Sequence, residues 1–225
     1  MEDIEKRNKL RIDFHCHSNF SRDSLTKPEM LVKMCLRKGL ERIVVTDHNT
    51  IDGALEAHRL DPIHIIIGEE IMTTHGEILA VYVKESIPTG LPPLKTIQML
   101  RDQGAFISIS HPFDQMRKGS WSMKDILSIL PYVDAIEGFN ARIMTHDANK
   151  KALSFAKEHD LAITAGSDAH AAFELGAASI WMDPYKDVEE LKINIKNGIL
   201  TSKRSPWWVH LISSYAKYRN IPKKG

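Results

Sequence analysis

Seven short apolar segments along the chain are candidate β-strands, and six of them have apolar interiors but end in His, Asp, Glu or Asn. In a parallel barrel the carboxyl ends of the strands share one face, and such folds build their sites there. The candidate strands cover residues 11–15, 42–48, 64–70, 78–83, 106–111, 135–140 and 162–168. This pattern favours folds in which polar side chains from many strands meet at one face.

Helical signals alternate with these strands and indicate an α/β fold with a mostly parallel sheet. One helical segment begins at Pro28 and ends before Gly39, and a second ends before Gly104. Further helices are predicted at residues 122–130, 147–159 and 187–197. A doubly wound sheet is disfavoured because no glycine-rich phosphate motif follows the first strand. We therefore predict a (β/α) barrel of about seven strands.

Composition limits the compartment and the partners. The 225 residues carry a net charge of +1 and only two cysteines, Cys16 and Cys35. A net charge this small gives no long-range electrostatic attraction to nucleic acid or to a membrane surface. Two cysteines are too few for a disulfide framework and fit a reducing cytosol. The charged first residues lack the apolar stretch of a signal peptide, and the apolar runs are too short to span a bilayer. We expect a cytoplasmic protein without membrane partners, whose oligomeric state the sequence leaves open.

An HxH triplet ends the first strand. Strand alternation places His15 and His17 on one side and Cys16 on the other, so the two imidazoles can share a metal ion. The polar residues at or just after the strand ends are His15, His17, Asp23, Asp47, His48, Glu69, Glu70, His111, Glu137, Asn140, Asp168 and His170. Imidazoles and carboxylates that converge on one face suit a cluster of two or three divalent ions. The alternative is that each is a core histidine with its own partner or a helix cap.

Five ordered motifs carry a family resemblance. HCH at 15–17, TDHNT at 46–50, GEE at 68–70, SHP at 110–112 and SDAH at 167–170 resemble the motifs of the polymerase and histidinol phosphatase (PHP) superfamily. The match covers roughly residues 11–185. The resemblance implies a distorted (β/α)7 barrel that holds up to three metal ions.

The resemblance also implies a ligand set. His15, His17, Glu70 and Asp168 would hold one ion, and Glu70 would bridge to a second ion at His111. Asp23, His48 and His170 would hold a third. Glu70 is preferred to Glu69 because it is second after Gly68, and Asp47 would orient an imidazole. Some members supply a further His to the second ion, whereas this chain has Glu137 and Asn140 there, with His146 beyond.

The chemistry that follows is hydrolysis of a phosphoester by a metal-bound hydroxide. Asp168, His170 and Arg142 are the candidate catalytic residues, and Arg117 is a second candidate cation for phosphate. Histidine-rich coordination favours Mn, Zn or Fe, with Mg also possible. The expected substrate is a small phosphomonoester or a nucleotide. The alternatives are an exonuclease or phosphodiesterase acting on short oligonucleotides, and a non-catalytic metal-binding interaction module.

Residues 1–200 are predicted to form the barrel and residues 201–225 a basic, aromatic tail. From Leu191 onward the chain has eight Lys or Arg and no Asp or Glu. Interleaved aromatic and basic residues could stack bases and neutralise phosphates. Alternatively, the segment is an amphipathic helix whose Trp207, Trp208, Leu211 and Ile212 cover the barrel.

Overall fold

A nine-stranded sheet organises the fold. The computed structural model describes residues 6, 8–117, 120–145 and 147–220, so His146 and the last five residues of the tail lie outside the described residues. Along the sheet the strands follow the order β7-β6-β5-β4-β3-β2-β1-β8-β9. The strands are β1 (Leu10–Cys16), β2 (Arg42–Val45), β3 (Ile65–Met72), β4 (Glu77–Val81), β5 (Phe106–Ile109), β6 (Ala135–Asn140), β7 (Ala162–Gly166), β8 (Ala178–Met182) and β9 (Ile199–Ser202).

Helices connect many of these strands. They are α1 (Pro28–Arg37), α2 (Asp52–Leu60), α3 (Pro93–Asp102), α4 (Met123–Ile129), α5 (Ala148–Glu158), α6 (Val188–Asn194) and α7 (Val209–Arg219). All five helical segments predicted within residues 28–197 are present, and the structure adds α2. Helix α7 lies in the tail, where an amphipathic helix was one of the two predicted alternatives. Within the described ranges, no helix is long and apolar enough to cross a membrane.

Six strands run in one direction and bring their carboxyl ends to one face. Parallel pairing joins β1 to β2, β2 to β3, β5 to β6 and β6 to β7. Strand β4 is antiparallel to both β3 and β5, which makes those two parallel to each other. Only four residues connect β3 to β4, too few for a parallel crossover, so these strands form a hairpin.

The barrel is nearly closed where β1 meets β7. The amide of Asp168 donates to the His15 carbonyl at 2.7 Å, and the amide of His17 donates to the Ala169 carbonyl at 2.9 Å. The strands approach so closely that a Cβ at Gly166 would lie 2.1 Å from the Cβ of His15. Glycine at this position therefore permits β1 and β7 to pair at their carboxyl ends.

The predicted α/β barrel class is confirmed, and all seven predicted strands are present as β1 to β7. The count differs, because β8 pairs antiparallel with β1 and β9 pairs antiparallel with β8. Strand β9 also crosses the predicted boundary at residue 200. As strand alternation predicts, Cys16 faces away from the two histidines and packs with Leu31 and Cys35 of α1.

Asp13 stabilises the β1–β7 junction. Its fully buried carboxylate accepts hydrogen bonds from the Ser167 amide at 2.9 Å, the Gly176 amide at 2.8 Å and the Ser167 hydroxyl. Burial raises the pKa of Asp13 to about 6, and the Ser167 hydroxyl opposes that rise. The Asp13 carboxyl therefore ties the loop after β7 to the middle of β1.

We expect Asp13→Ala to lower the free energy of unfolding by about 3 kcal/mol, because it leaves buried donors of Ser167 and Gly176 without an acceptor. Urea denaturation followed by circular dichroism measures the change. Asp183→Ala is the matched control, since Asp183 forms an exposed 2.8 Å ion pair with Lys9 whose loss costs about 0.5 kcal/mol or less. Equal stability of the two variants would contradict the role given to Asp13.

Candidate metal centre

The structure brings the eight predicted metal ligands together at the carboxyl ends of the parallel strands. His15 and Glu70 lie within β1 and β3, and the others lie in the connections that follow β1, β2, β5 and β7. Two of these side chains start from strained backbone, since φ is +23° at His111 and +51° at Asp168. Left-handed backbone at non-glycine residues is common in functional sites.

Glu70 is the centre of the first group of ligands. One carboxylate oxygen, Oε2, lies 3.3 Å from His15 Nε2, 3.5 Å from His17 Nε2 and 3.0 Å from His48 Nδ1. The other, Oε1, lies 2.9 Å from His111 Nε2. Both oxygens of this carboxylate contact imidazoles, and Glu70 belongs to two groups that could hold an ion, one with His15 and His17 and one with His48 and Glu77.

A second group surrounds His170. Its Nε2 lies 3.4 Å from Asp23 Oδ1, and its Nδ1 lies 3.4 Å from Asp168 Oδ1. His48 Nε2 also contacts Asp23 Oδ1, at 3.5 Å. His17, His48 and His170 each offer a nitrogen within 4.8 Å of the others, so these three could hold one ion.

Orphaned carboxylate oxygens provide a test of whether these residues fit metal ions. Asp23 Oδ1, Glu70 Oε2 and Asp168 Oδ1 are buried and accept no hydrogen bond from any residue that the structure describes. Each nevertheless lies within 3.7 Å of two or three imidazole nitrogens. Buried carboxylates without hydrogen bonds are costly unless a cation compensates them. The residues present therefore fit a cluster of divalent cations.

Glu77 joins the site although the strand-end pattern missed it. It lies 3.2 Å from His111 Nε2 and 4.0 Å from His48 Nδ1, and it is 6% exposed. With His48 and Glu70 it forms a further group that could hold an ion. Glu77 begins β4 opposite Met72, so the β3–β4 hairpin brings it to the same face as the strand ends. The four-residue connection was the sequence signal that could have revealed it.

A second layer of side chains orients the imidazoles. Glu137 accepts from His15 Nδ1 at 2.9 Å and from the His111 amide at 2.8 Å. Asp47 accepts from the Ser21 hydroxyl at 2.6 Å, and that hydroxyl lies 3.2 Å from His17 Nδ1. Partners of this kind fix which ring nitrogen faces a metal. Asp47 thus acts on an imidazole through Ser21, in agreement with the orienting role predicted for it.

Asn140 has a different orientation from that of a metal ligand. Its amide nitrogen donates to Asp168 Oδ2 at 3.1 Å and to both oxygens of Glu137. The amide oxygen accepts from the Arg142 amide at 2.9 Å. Asn140 therefore supports two carboxylates and leaves no oxygen toward the centre.

Charge and burial separate the pKa values of the histidines. Burial opposes protonation of His15, but Glu70, Glu137 and Asp168 outweigh it and hold the pKa of His15 well above its ordinary value. Burial, with His170 and His48 beside it, lowers the pKa of His17 to about 4. His17 is thus neutral and able to bind metal at neutral pH, whereas an ion would displace a proton from His15.

The two candidate arginines have different environments. Arg117 pairs with Asp168 through a very close contact, and its side chain is 23% exposed. Arg142 is 4% exposed, and its guanidinium lies 2.6 Å from the Ser213 hydroxyl, 3.3 Å from the Val209 carbonyl and 3.4 Å from Glu174. Most donors of Arg142 are thus committed to protein partners. Arg117 Nε also lies 3.3 Å from Asp114 Oδ2, so both guanidinium groups have protein partners, and Arg117 is the more exposed of the two.

A cavity of about 640 Å³ opens onto this cluster. Asp23, His48, Glu77 and His170 lie on its floor, and Arg117, Arg142, His210, Ser213 and Lys217 also line it. Exposed side chains of Met116, Met144 and Lys217 surround its entrance. The cavity is wide enough for a small organic phosphate.

Comparisons with known proteins decide the family. The PHP domain model matches residues 13–85, and the model of the PHP-associated C-terminal region matches residues 146–199. The uncharacterized protein MJ0417 of Methanocaldococcus jannaschii is 36% identical over 174 residues, which cover 76% of this chain and 70% of the relative. The chain belongs to the PHP family.

Solved structures of other proteins share the fold. A two-domain protein from Bacteroides vulgatus, described as containing a predicted PHP-like metal-dependent phosphoesterase, superposes with a TM-score of 0.69 at 20% identity. The match covers 87% of this chain and 65% of that neighbour's length. The lesion-specific endonuclease PfuEndoQ of Pyrococcus furiosus gives a TM-score of 0.60 at 16% identity, over 84% of this chain and 56% of the endonuclease. These neighbours support the barrel fold of the PHP chain.

Proposed function

We propose that this PHP protein is a metal-dependent phosphoesterase that hydrolyses a small phosphomonoester or the phosphate of a nucleotide. The observation that carries the proposal is that three orphaned carboxylate oxygens converge with imidazoles beside an arginine, next to a cavity of about 640 Å³ that Asp23 and Arg117 line. A cation cluster beside a guanidinium is suited to a phosphoryl group and its surrounding negative charge.

Two or three divalent ions would be held by the predicted ligands, with Glu77 as an additional one. The ligands are His15, His17, Asp23, His48, Glu70, Glu77, His111, Asp168 and His170. When bound, such ions lower the pKa of water and polarise phosphoryl oxygens. Imidazoles in this number favour Mn, Zn or Fe over Mg.

The chain's own residues would orient the substrate. Arg117 lines the cavity and donates to Asp168 through Nη2 and to Asp114 through Nε, so its Nη1 group would be the one to donate to phosphoryl oxygens. Asn140 donates to Asp168, and Glu137 accepts from His15, so the two side chains fix the positions of these ligands.

Cys16 and Cys35 are free and buried away from the site, which is consistent with a cytoplasmic location.

A phosphodiesterase acting on short oligonucleotides is the second candidate. The open cavity beside the basic helix α7 favours it, since a longer substrate could leave the site along that helix. The endonuclease among the structural neighbours gives this candidate further support.

The test is metal content together with hydrolysis by one preparation. Purified protein is assayed by elemental analysis and then with p-nitrophenyl phosphate, a nucleotide panel and a 5′-phosphorylated oligonucleotide, before and after chelation and reloading with Mn or Zn. We expect bound ions, activity that chelation removes, and recovery on reloading. Faster cleavage of the oligonucleotide would favour the phosphodiesterase. Absence of metal and of hydrolysis after reloading would overturn the proposal and favour an interaction module.

A further inference from the structure

Helix α7 forms a fixed wall of the cavity. Arg142 binds its first turns through the Val209 carbonyl and the Ser213 hydroxyl, and His210 Nε2 lies 3.1 Å from the Arg142 carbonyl. At the other end, the Asn220 side chain donates to the Arg22 carbonyl at 2.9 Å. Contacts at both ends hold the helix across the cavity entrance.

The buried side of α7 differs from the side predicted for an amphipathic helix. Val209, Ser213 and Ala216 are buried, whereas Trp207 is 71% and Leu211 61% exposed. The helix thus packs through small residues and Arg142, with Trp207 and Leu211 facing outward and Ile212 half-buried. Because the packed side chains are small, the helix lies close to the barrel, and His210, Ser213 and Lys217 line the cavity beside the metal centre.

Lys217 is the residue that reaches the centre. His210, Ser213 and Lys217 line the cavity, as positions three and four apart on one side of a helix do. Lys217 Nζ lies 3.1 Å from Asp23 Oδ2, while Asp23 Oδ1 faces His48 and His170. One oxygen of Asp23 therefore remains free for an ion while the other meets Lys217.

This ion pair joins an exposed residue to a buried one. The Lys217 side chain is 60% exposed and the Asp23 side chain 10%, so the ammonium compensates one oxygen of a buried carboxylate. The same ammonium lines a cavity whose other lining residues include His48, Arg117 and His170. Residue 217 also lies outside both segments matched by the family models, 13–85 and 146–199.

Arg117 and Lys217 lie on opposite sides of the His170 ring. Arg117 pairs with Asp168, whose Oδ1 contacts one ring nitrogen of His170. Lys217 pairs with Asp23, whose Oδ1 contacts the other. Two protein cations are therefore separated by the width of an imidazole and its two carboxylate partners. This arrangement can bind two anionic groups of one substrate.

We propose that Lys217 binds a second phosphate group of the substrate and makes the enzyme prefer phosphoesters with two such groups over simple monoesters. The proposal rests on the proposed phosphoesterase function, since Arg117 and the metal centre would take the phosphate to be hydrolysed. The second phosphate could belong to a sugar bisphosphate or to the backbone of an oligonucleotide.

Two matched pairs of ligands test the preference. Fructose 1,6-bisphosphate is compared with fructose 6-phosphate, and a 5′-phosphorylated dinucleotide with the corresponding nucleoside 5′-monophosphate. Calorimetric Kd values, with KM and kcat where turnover occurs, are measured on Mn-loaded wild type, Lys217→Met and Lys217→Arg. Arg219→Met is the control, because it removes a positive charge from the same helix at an exposed residue that does not line the cavity.

We expect Lys217→Met to weaken binding of the two-phosphate ligand by about 10-fold or more in at least one pair, with the monophosphate within about twofold of wild type. Lys217→Arg should restore most of the preference, and Arg219→Met should retain it. The responding pair identifies the source of the second phosphate. Equal losses within both pairs, loss of metal from Lys217→Met, or no wild-type preference would overturn the proposal.

Failure of the proposed function is distinguishable from failure of this inference. If the protein binds these ligands but does not hydrolyse them, the phosphoesterase function fails, while the binding preference and its dependence on Lys217 are still measured. If hydrolysis is normal and Lys217→Met behaves as Arg219→Met does, only the role of Lys217 is overturned.

Discussion

Glu70→Gln is expected to lower kcat/KM for a phosphomonoester by more than about 1,000-fold and to leave the protein with fewer bound ions per chain. The physical reason is its position, since its carboxylate contacts His15, His17, His48 and His111 within 3.5 Å. The amide of glutamine keeps the size but loses the negative charge that two cations would share. Elemental analysis and steady-state kinetics on reloaded protein measure both effects.

Glu69→Gln is the matched control for that variant. Glu69 is the preceding residue of β3 and is equally buried, but its carboxylate accepts from the Ser86 hydroxyl and the Ile87 amide. Burial raises the pKa of Glu69, and both hydrogen bonds oppose the rise. We expect this control to keep its ions and most of its activity. Full metal content and activity in Glu70→Gln would contradict the assignment of Glu70 as a bridging ligand.

Arg117→Met is expected to lower kcat/KM by about 100- to 1,000-fold while the bound ions are retained. Arg117 is the partly exposed guanidinium of the centre, and its loss removes a donor to the phosphoryl group. Arg117 is the first of the groups that hold the pKa of Asp168 well below its ordinary value despite burial, and the neighbouring histidines contribute after it. In the variant these histidines and the bound ions would keep Asp168 ionised, so we expect the ions to stay. Kinetics and elemental analysis on one preparation separate the two effects.

Arg142→Met is the informative comparison, because the two arginines were rival candidates for phosphate. Arg142 is buried among Glu174, Val209 and Ser213. Its loss should lower the midpoint of thermal unfolding, since Glu174 becomes a buried carboxylate without its cation. A large loss of activity in Arg142→Met at unchanged stability, with normal activity in Arg117→Met, would favour Arg142 over Arg117 as the phosphate ligand.

Much of the site was predictable because the alternation of strands and helices along the chain indicates parallel strands. Polar residues at the ends of apolar segments meet at one face once the strands are parallel, and this placed all eight predicted ligands together. Glu77 was not predicted as a ligand because it lies at the start of its strand. Only the reversal of direction in the β3–β4 hairpin brings it to that face. The contacts of Arg142 with Val209 and Ser213 were equally hidden, because those residues lie far away in sequence.

Strands β8 and β9 were missed for a related reason. The segment Ala178–Met182 is short and joins the sheet by antiparallel pairing with β1, a contact between the two ends of the barrel sequence. Pairing over such a separation leaves no periodic signal in either segment. Which face of α7 is buried also depends on a contact between residues distant in sequence. Arg142 binds the side of the helix that carries the small residues, and Trp207 stays exposed.

The junction of β1 and β7 is also the place where the metal ligands are concentrated. His15 and His17 approach it from one strand, and Asp168 and His170 approach it from the other. Any ion shared across this junction binds only when the two strands are paired, so ion affinity and closure of the barrel are thermodynamically linked. Bound ions would thereby raise the free energy of unfolding of the chain. Amide hydrogen exchange along β1 and β7 would then report ion occupancy directly, without any substrate.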